Sequence, residues 1–255
     1  MRVHVVSDVH HHVEALARAG DGADALVCLG DLVLFLDYAD PAGGIFAQLF
    51  GPAAAAELVA LRTARRFDEA RSWSRSLWEG LGEDPRVVIE RAVDQQYAEL
   101  FAAMPTPAWL TYGNVDVPAL WPRHLRDGHT VLDGEVAEIG GLRWGFVGGG
   151  LQTPMRTPHE ISDEAFAAKV AAVGAVDVLA CHIPPDVPEL LYDVQARRFE
   201  RGSRAVLEAI HDTQPALVLF GHVHQPLQAR LRIGRTECVN VGHFRGTGVP
   251  YVLDL

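Results

Sequence analysis

The sequence predicts an α/β protein, with a buried sheet whose strands deliver polar loops along one edge and a second sheet packed on the first. Three observations predict it. Short apolar runs rich in Val, Leu and Ile recur along the chain, each closed by a polar or glycine cluster, as expected of strands covered on both faces. Five of these runs are followed within three residues by Asp, Asn or His. Between the second and third runs, helical spacing replaces strand spacing.

The five runs are residues 3–7, 25–29, 109–112, 176–180 and 217–220. Open α/β sheets place ligand sites past the C-terminal ends of their strands, where the scaffold fixes positions and the loops supply chemistry. Residues 37–84 read as a helical insertion: Ala53 to Ala56 open it, and Leu58, Leu61, Phe67, Leu77, Trp78 and Leu81 continue its apolar positions until Gly82 and Asp84-Pro85 break the pattern. A second helix is expected from 85 to 104. Arg62, Arg65, Arg66, Arg71 and Arg75, interleaved with Glu57, Asp68, Glu69 and Glu79, read as a solvated face. Strands at 227–233, 236–241 and 251–255, joined by Gly-containing turns, suit the second sheet. With no repeat, low-complexity tract or linker, residues 1–255 read as one catalytic domain.

Composition excludes several classes. The balance of 22 Lys and Arg against 33 Asp and Glu, a formal net charge of -11, repels the phosphate backbone of nucleic acid. No apolar run approaches the ~20 residues of a membrane-spanning helix, and Met1 to Asp8 lack the pattern of a secretory signal. Cys28, Cys181 and Cys238 are too dispersed for a zinc site or a disulfide framework. A cytoplasmic protein is expected. Its 12 histidines are a large supply for an acidic chain, and histidine is the commonest metal-binding side chain.

Asp8-Val9-His10, Gly30-Asp31, Gly113-Asn114-Val115-Asp116, Cys181-His182 and Gly221-His222-Val223-His224 each follow one of the five runs. Their oxygen and nitrogen donors suit Mn, Fe or Zn better than Ca or Mg alone. Seven ligands serve two divalent ions if one carboxylate bridges. In the two-residue steps Asp8 to His10 and His222 to His224, alternate side chains of extended backbone point the same way. Gly30, Gly113 and Gly221 stand directly before ligand candidates, where a Cβ would interfere with a sharp turn or close packing. Taken singly, each motif has an ordinary reading as a turn or surface residue; the specificity lies in the set.

In this set the chain resembles the calcineurin-like metallophosphoesterase superfamily, whose pattern is D-x-H, G-D, a G-N-H-D variant, a later H and G-H-x-H. The match runs from Asp8 to His224. The resemblance implies a four-layer α/β/β/α sandwich, two packed sheets flanked by helices. It also implies a binuclear metal centre, with Asp8, His10, Asp31 and His224 holding one ion, and Asp31, Asn114, His182 and His222 the other. Asp31 is then the bridging carboxylate. The implied activity is hydrolysis of a small phosphoester by in-line attack of a metal-bridging hydroxide, with Asp31 and Asn114 in the catalytic machinery and Asn114 helping to hold a phosphate oxygen. Manganese is one expected metal.

Two departures qualify that expectation. Many family members have a proton-donating histidine where this chain has Val115; its loss removes a contribution of typically about 10²- to 10⁴-fold for poor leaving groups, which favours phosphodiesters. Asp116 is retained without the histidine it would support, so its role is expected to be structural. His11, His12, His159 and His243 are alternative acids, His12 being also a candidate substrate contact, and Arg156 is a candidate phosphate contact. The second departure is the helical insertion, expected to act as a lid or a homodimer contact. A phosphomonoesterase, a nuclease, or a non-catalytic interaction scaffold on the same fold are the competing readings.

Overall fold

In the computed structural model, which describes residues 1–255, strands form where aliphatic residues alternate between two covered faces. In chain order they are β1 (Arg2–Val6), β2 (Ala25–Cys28), β3 (Ala108–Leu110), β4 (His129–Val131), β5 (Glu135–Ile139), β6 (Leu142–Val147), β7 (Gly150–Leu151), β8 (Glu160–Ile161), β9 (Val178–Cys181), β10 (Tyr192–Asp193), β11 (Arg198–Phe199), β12 (Leu217–Phe220), β13 (Arg230–Ile233), β14 (Thr236–Asn240) and β15 (Tyr251–Asp254). The helices are α1 (Val13–Leu16), α2 (Gly44–Phe50), α3 (Pro52–Thr63), α4 (Phe67–Glu79), α5 (Pro85–Ala103), α6 (Asp163–Val173), α7 (Pro188–Leu191), α8 (Arg204–Thr213) and α9 (Phe244–Thr247). The chain divides into two compact units, Met1–Leu32 with Leu100–Leu255, and Val33–Glu99.

The first unit holds both main sheets. One has the order β15-β1-β2-β3-β4, the other β13-β14-β12-β9-β6-β5. Strands β1 to β4 run parallel, as do β6, β9, β12 and β14, while β15, β13 and β5 close three edges antiparallel. Val3, Val5, Val27 and Leu29 of the first sheet share one core with Trp144, Phe146, Val178, Ala180, Leu219 and Val239 of the second. The far face of the second sheet is covered by Phe166, Val170 and Val173 of α6 and by Val206 and Ile210 of α8. On the first sheet, His4 alternates to the opposite face from Val3 and Val5 and meets the Ala19 carbonyl, just past α1, at 2.8 Å. Helix, sheet, sheet and helix are therefore stacked in that order.

Several elements depart from expectation. Residues 251–255 do not join the second sheet; β15 pairs antiparallel with β1 in the first. The β5–β6 hairpin, unforeseen because β5 is a largely exposed edge, turns at Gly140 and Gly141, both at positive φ, as a tight hairpin requires.

In the second unit, the helix expected through residues 53–81 is broken between α3 and α4, where Arg65 adopts φ 58°. Helix α2 was not foreseen, whereas α5 lies within a residue of expectation. Phe46, Leu58, Leu61 and Ala70 form the core of this unit, with Phe50, Trp73, Leu77 and Trp78 packed against them. Gln96 satisfies both backbone groups of Leu34, accepting at 2.9 Å and donating at 3.1 Å. Arg66 pairs with Glu69 and Arg71 with Asp68 on the surface, consistent with a solvated face. No helix in the chain is long and apolar enough to cross a membrane.

Candidate metal centre

All seven sequence-selected ligand candidates lie in the first unit, in the loops that leave β1, β2, β3, β9 and β12. Because these strands are parallel within two stacked sheets, their C-terminal ends open on one edge, and the side chains meet there. The backbone at this edge is not extended as the two-residue steps suggest: Asp8, His10, Asp31 and His222 adopt φ values of 56°, 40°, 56° and 67°. Left-handed conformations in non-glycine residues concentrate at functional sites.

The donors fall into two adjoining groups. In the first, His10 Nε2 lies 3.3 Å from His224 Nε2, and Asp8 Oδ1 lies 4.0 Å from His10 Nε2 and 3.4 Å from His224 Nε2. In the second, Asn114 Oδ1 sits 3.0 Å from His182 Nε2 and 2.9 Å from His222 Nδ1. Asp31 Oδ2 belongs to both, 3.9 Å from His10 Nε2 and 3.4 Å from His182 Nε2. Its other oxygen accepts the Val115 N–H at 2.9 Å.

These residues fit a divalent cation. Asp8 Oδ1 is buried without a hydrogen-bond donor, while Oδ2 accepts the His222 N–H at 2.9 Å. A buried carboxylate oxygen without a partner is unfavourable unless a cation meets it, and imidazole nitrogens stand on the same side. Two nitrogens 3.3 Å apart also suit a common ion at bond lengths of about 2.1 Å. His182 presents Nε2 because its Nδ1 meets the Leu29 carbonyl at 2.9 Å, the usual way a second contact orients a ligating imidazole.

The charge balance agrees. Burial alone would raise both carboxyls, but the close approach of His224, with the charges of His182 and His10, holds Asp8 well below its usual range. Asp31 is likewise lowered, to about 2, by His182 and His10. Burial depresses His182, yet the Asp31 charge and hydrogen bond, with Asp8 and Asp116, raise it to about 9. In the metal-free protein His182 therefore carries a proton below about 9, which an ion bound through its Nε2 would have to displace. Apparent affinity should fall as pH falls, by about tenfold per unit between pH 9 and 7 for this group, with about one proton released on binding. Calorimetric titrations at several pH values, in buffers of different ionisation enthalpy, measure both quantities; a pH-independent affinity without proton release would contradict the expectation.

Other polar residues hold the candidate ligands in place. Asp116 accepts the backbone N–H groups of Asp31 and Gly113, both at 2.8 Å, and of Leu32 at 3.0 Å. Burial and the Asp31 charge raise its carboxyl to about 7 against the hydrogen bonds from Gly113 and Leu32. Thr157 accepts from Asn114 Nδ2 at 3.0 Å and donates to Glu160 at 2.9 Å, which turns the amide oxygen towards His182 and His222. Asn240 donates to the Gly221 and Val223 carbonyls at 3.3 and 2.9 Å and accepts from Gly242 N at 2.9 Å. Asp116 has the structural role expected of it, whereas Thr157, Glu160 and Asn240 depend on tertiary contacts and carried no sequence signal.

The other histidines are placed differently. His12 packs near Phe244 with ring centroids 6.3 Å apart, and His159 near Tyr112 at 5.5 Å. His11 donates its backbone N–H to Leu32, and Arg156 is exposed. His243 instead lies against the first donor group, parallel to His224 at 3.9 Å.

The glycines before the ligands are close-packed. A Cβ on Gly221 would overlap Ser7 Oγ and Asp8 Oδ2, and one on Gly113 would overlap Asp31. Gly221→Ala is therefore expected to displace Asp8, to destabilise the fold by about 1 to 3 kcal/mol as overpacking typically does, and to weaken metal uptake. Thermal unfolding and metal analysis read the two effects; an unchanged variant would show that the loop yields freely.

Two solved structures share the fold. One crystal structure aligns with TM-score 0.58 and 17% identity, covering 95% of this chain and 91% of the other. The crystal structure of TT1561 of Thermus thermophilus aligns with TM-score 0.54 and 15% identity over 96% and 90%. No curated protein matches the chain. The model of the calcineurin-like phosphoesterase family matches residues 1–226, and the chain belongs to that family. It is a metal-dependent phosphoric ester hydrolase, as that membership and the convergent donor clusters indicate.

Proposed function

We propose that the protein is a binuclear phosphodiesterase acting on a small phosphoester, with two ions drawn from Mn, Fe and Zn held by Asp8, His10, Asp31, Asn114, His182, His222 and His224. The observation that carries this reading is the position of Asp31 Oδ2, within 3.9 Å of His10 Nε2 and 3.4 Å of His182 Nε2, and so common to both donor groups. When bound, such a pair activates water for in-line attack at phosphorus and neutralises charge on the phosphoryl oxygens.

The chain's own groups account for the rest. Asp8 and Asp31 supply two negative charges against the cations, and Asp116 fixes the Asp31 backbone. Asn114 commits one amide hydrogen to Thr157 and retains a second for a phosphate oxygen. Val115 supplies no proton to a leaving group, which favours esters whose leaving oxygen departs without one. The whole chain acts in this reading as one catalytic domain with residues 37–84 inserted, and that insertion serves as a lid or a homodimer contact. Nucleic acid is not the substrate, in keeping with the net charge of -11.

The test compares a chromogenic phosphodiester with the matching monoester after Mn²⁺ addition, alongside metal analysis. A higher kcat/KM for the diester with two equivalents of metal bound is the expected result. Faster monoester hydrolysis would replace the diesterase reading with a phosphomonoesterase, and bound metal with neither ester turned over would point to a scaffold.

A further inference from the structure

The loop leaving β14 brings one more imidazole to the metal edge. Gly242 at φ 97° and the Asn240 contacts set the turn, and the segment beyond it is fastened to the Asp8–His10 loop: Phe244 N donates to Ser7 O and Arg245 N to Asp8 O, each at 3.0 Å. Arg245 Nη1 also donates to His10 O at 2.8 Å. His243 is held by this frame. Its ring lies 3.9 Å from that of His224 with 2° between the planes, and 5.8 Å from that of His10 at 68°. Ligand atoms of the three histidines lie within 4.8 Å of one another. His243 Nε2 is buried without a hydrogen-bond partner, a state that calls for a donor or a cation.

We propose that His243 is an additional ligand of the ion held by Asp8, His10, Asp31 and His224, giving that site a third imidazole; this rests on the binuclear reading above. Nitrogens bound to one ion at bond lengths of about 2.1 Å lie about 3 to 4.2 Å apart, so the trio needs only a small contraction. Parallel rings cannot both aim in-plane lone pairs at one ion, so His224 and His243 must tilt apart on loading. The additional ligand raises the coordination number of the first site and distinguishes it from the second, whose nitrogens are those of His182 and His222.

The test is Co²⁺ loading of the wild-type protein, observed by paramagnetic proton NMR, with His243→Phe and His243→Asn as variants. Phe keeps a ring against His224 but carries no ligand atom. Five hyperfine-shifted imidazole N–H signals are expected in the wild type, from His10, His182, His222, His224 and His243, and four in each variant. Affinity for the first ion should fall by about 10- to 100-fold, as loss of support at metal sites commonly does. Four signals in the loaded wild type would overturn the inference and leave the binuclear reading intact, as would a His243→Phe variant that binds both ions with unchanged affinity and spectrum. Failure of the wild type to take up cobalt or any other divalent ion would overturn the binuclear reading and this inference together.

Discussion

Asp31→Asn is expected to reduce ester hydrolysis by on the order of 10³-fold, about 4 kcal/mol of transition-state stabilisation, the scale on which metal ions act on phosphoryl groups. The substitution is nearly isosteric, so the effect is electrostatic. Asp31 Oδ2 is the one oxygen within 4 Å of histidine nitrogens from both donor groups, whereas Oδ1 is already committed to Val115 N. An amide in its place removes a full negative charge and presents an NH₂ either to the imidazoles or to the Val115 N–H, both unfavourable. Occupancy should fall with activity, from two metal equivalents to one or none. Full activity with two ions bound in the variant would show that Asp31 does not bridge. Thermal stability separates a local from a global effect.

The second large effect is on stability, at Asp116. Its carboxylate accepts the buried backbone N–H groups of Asp31, Leu32 and Gly113 in the hydrogen bonds described above. Asp116→Ala strands all three, at roughly 1 to 3 kcal/mol each, a sum comparable with the whole stability of an ordinary domain at about 5 to 15 kcal/mol. Asp116→Ala is therefore expected to be unfolded or nearly so. Asp116→Asn should be milder, because one amide oxygen can keep the pair at Asp31 and Gly113, leaving only Leu32 unmet, and its deficit should be about 1 to 3 kcal/mol. Denaturant unfolding of both variants reads the order. Equal and small losses would mean that water or a shifted backbone replaces the carboxylate.

The metal edge was legible because its ingredients are chemically specific and local. Asp8, Asp31, Asn114, His182 and His222 each sit at the end of an apolar run, and glycine precedes three of them. The same logic reaches one strand further: Gly242-His243 follows the 236–240 run as Gly221-His222 follows 217–220. The sequence identified His243 as a neighbour of the chemistry but not its stack on His224, which depends on β14 lying beside β12 in the sheet. The supporting shell was harder to read. Thr157 meets Asn114 across 43 residues and is itself held by Glu160, and nothing in local spacing distinguishes the two from solvent-facing threonines and glutamates. The β5–β6 hairpin was lost because β5 is mostly exposed, although Gly140-Gly141 carried the turn signal. In the helical segment, apolar spacing continues across Arg65 while the backbone does not, since periodicity reports which face is buried and not whether one helix or two supply it.

The left-handed backbone at Asp8, His10, Asp31 and His222 bears on when the active site comes into being. Each such conformation opposes folding by about 1 to 3 kcal/mol, and it persists because the surrounding sheets and the Asp116 and Asn240 clamps dictate it. The protein's own hydrogen bonds thus fasten these loops. In a small zinc module the metal is the nucleus of the fold, and chelation dissolves it. Here the contacts that shape the loops come from the polypeptide, so chelation is expected to leave the fold intact, which circular dichroism with and without chelator reads; loss of the fold on chelation would show that the ions complete it.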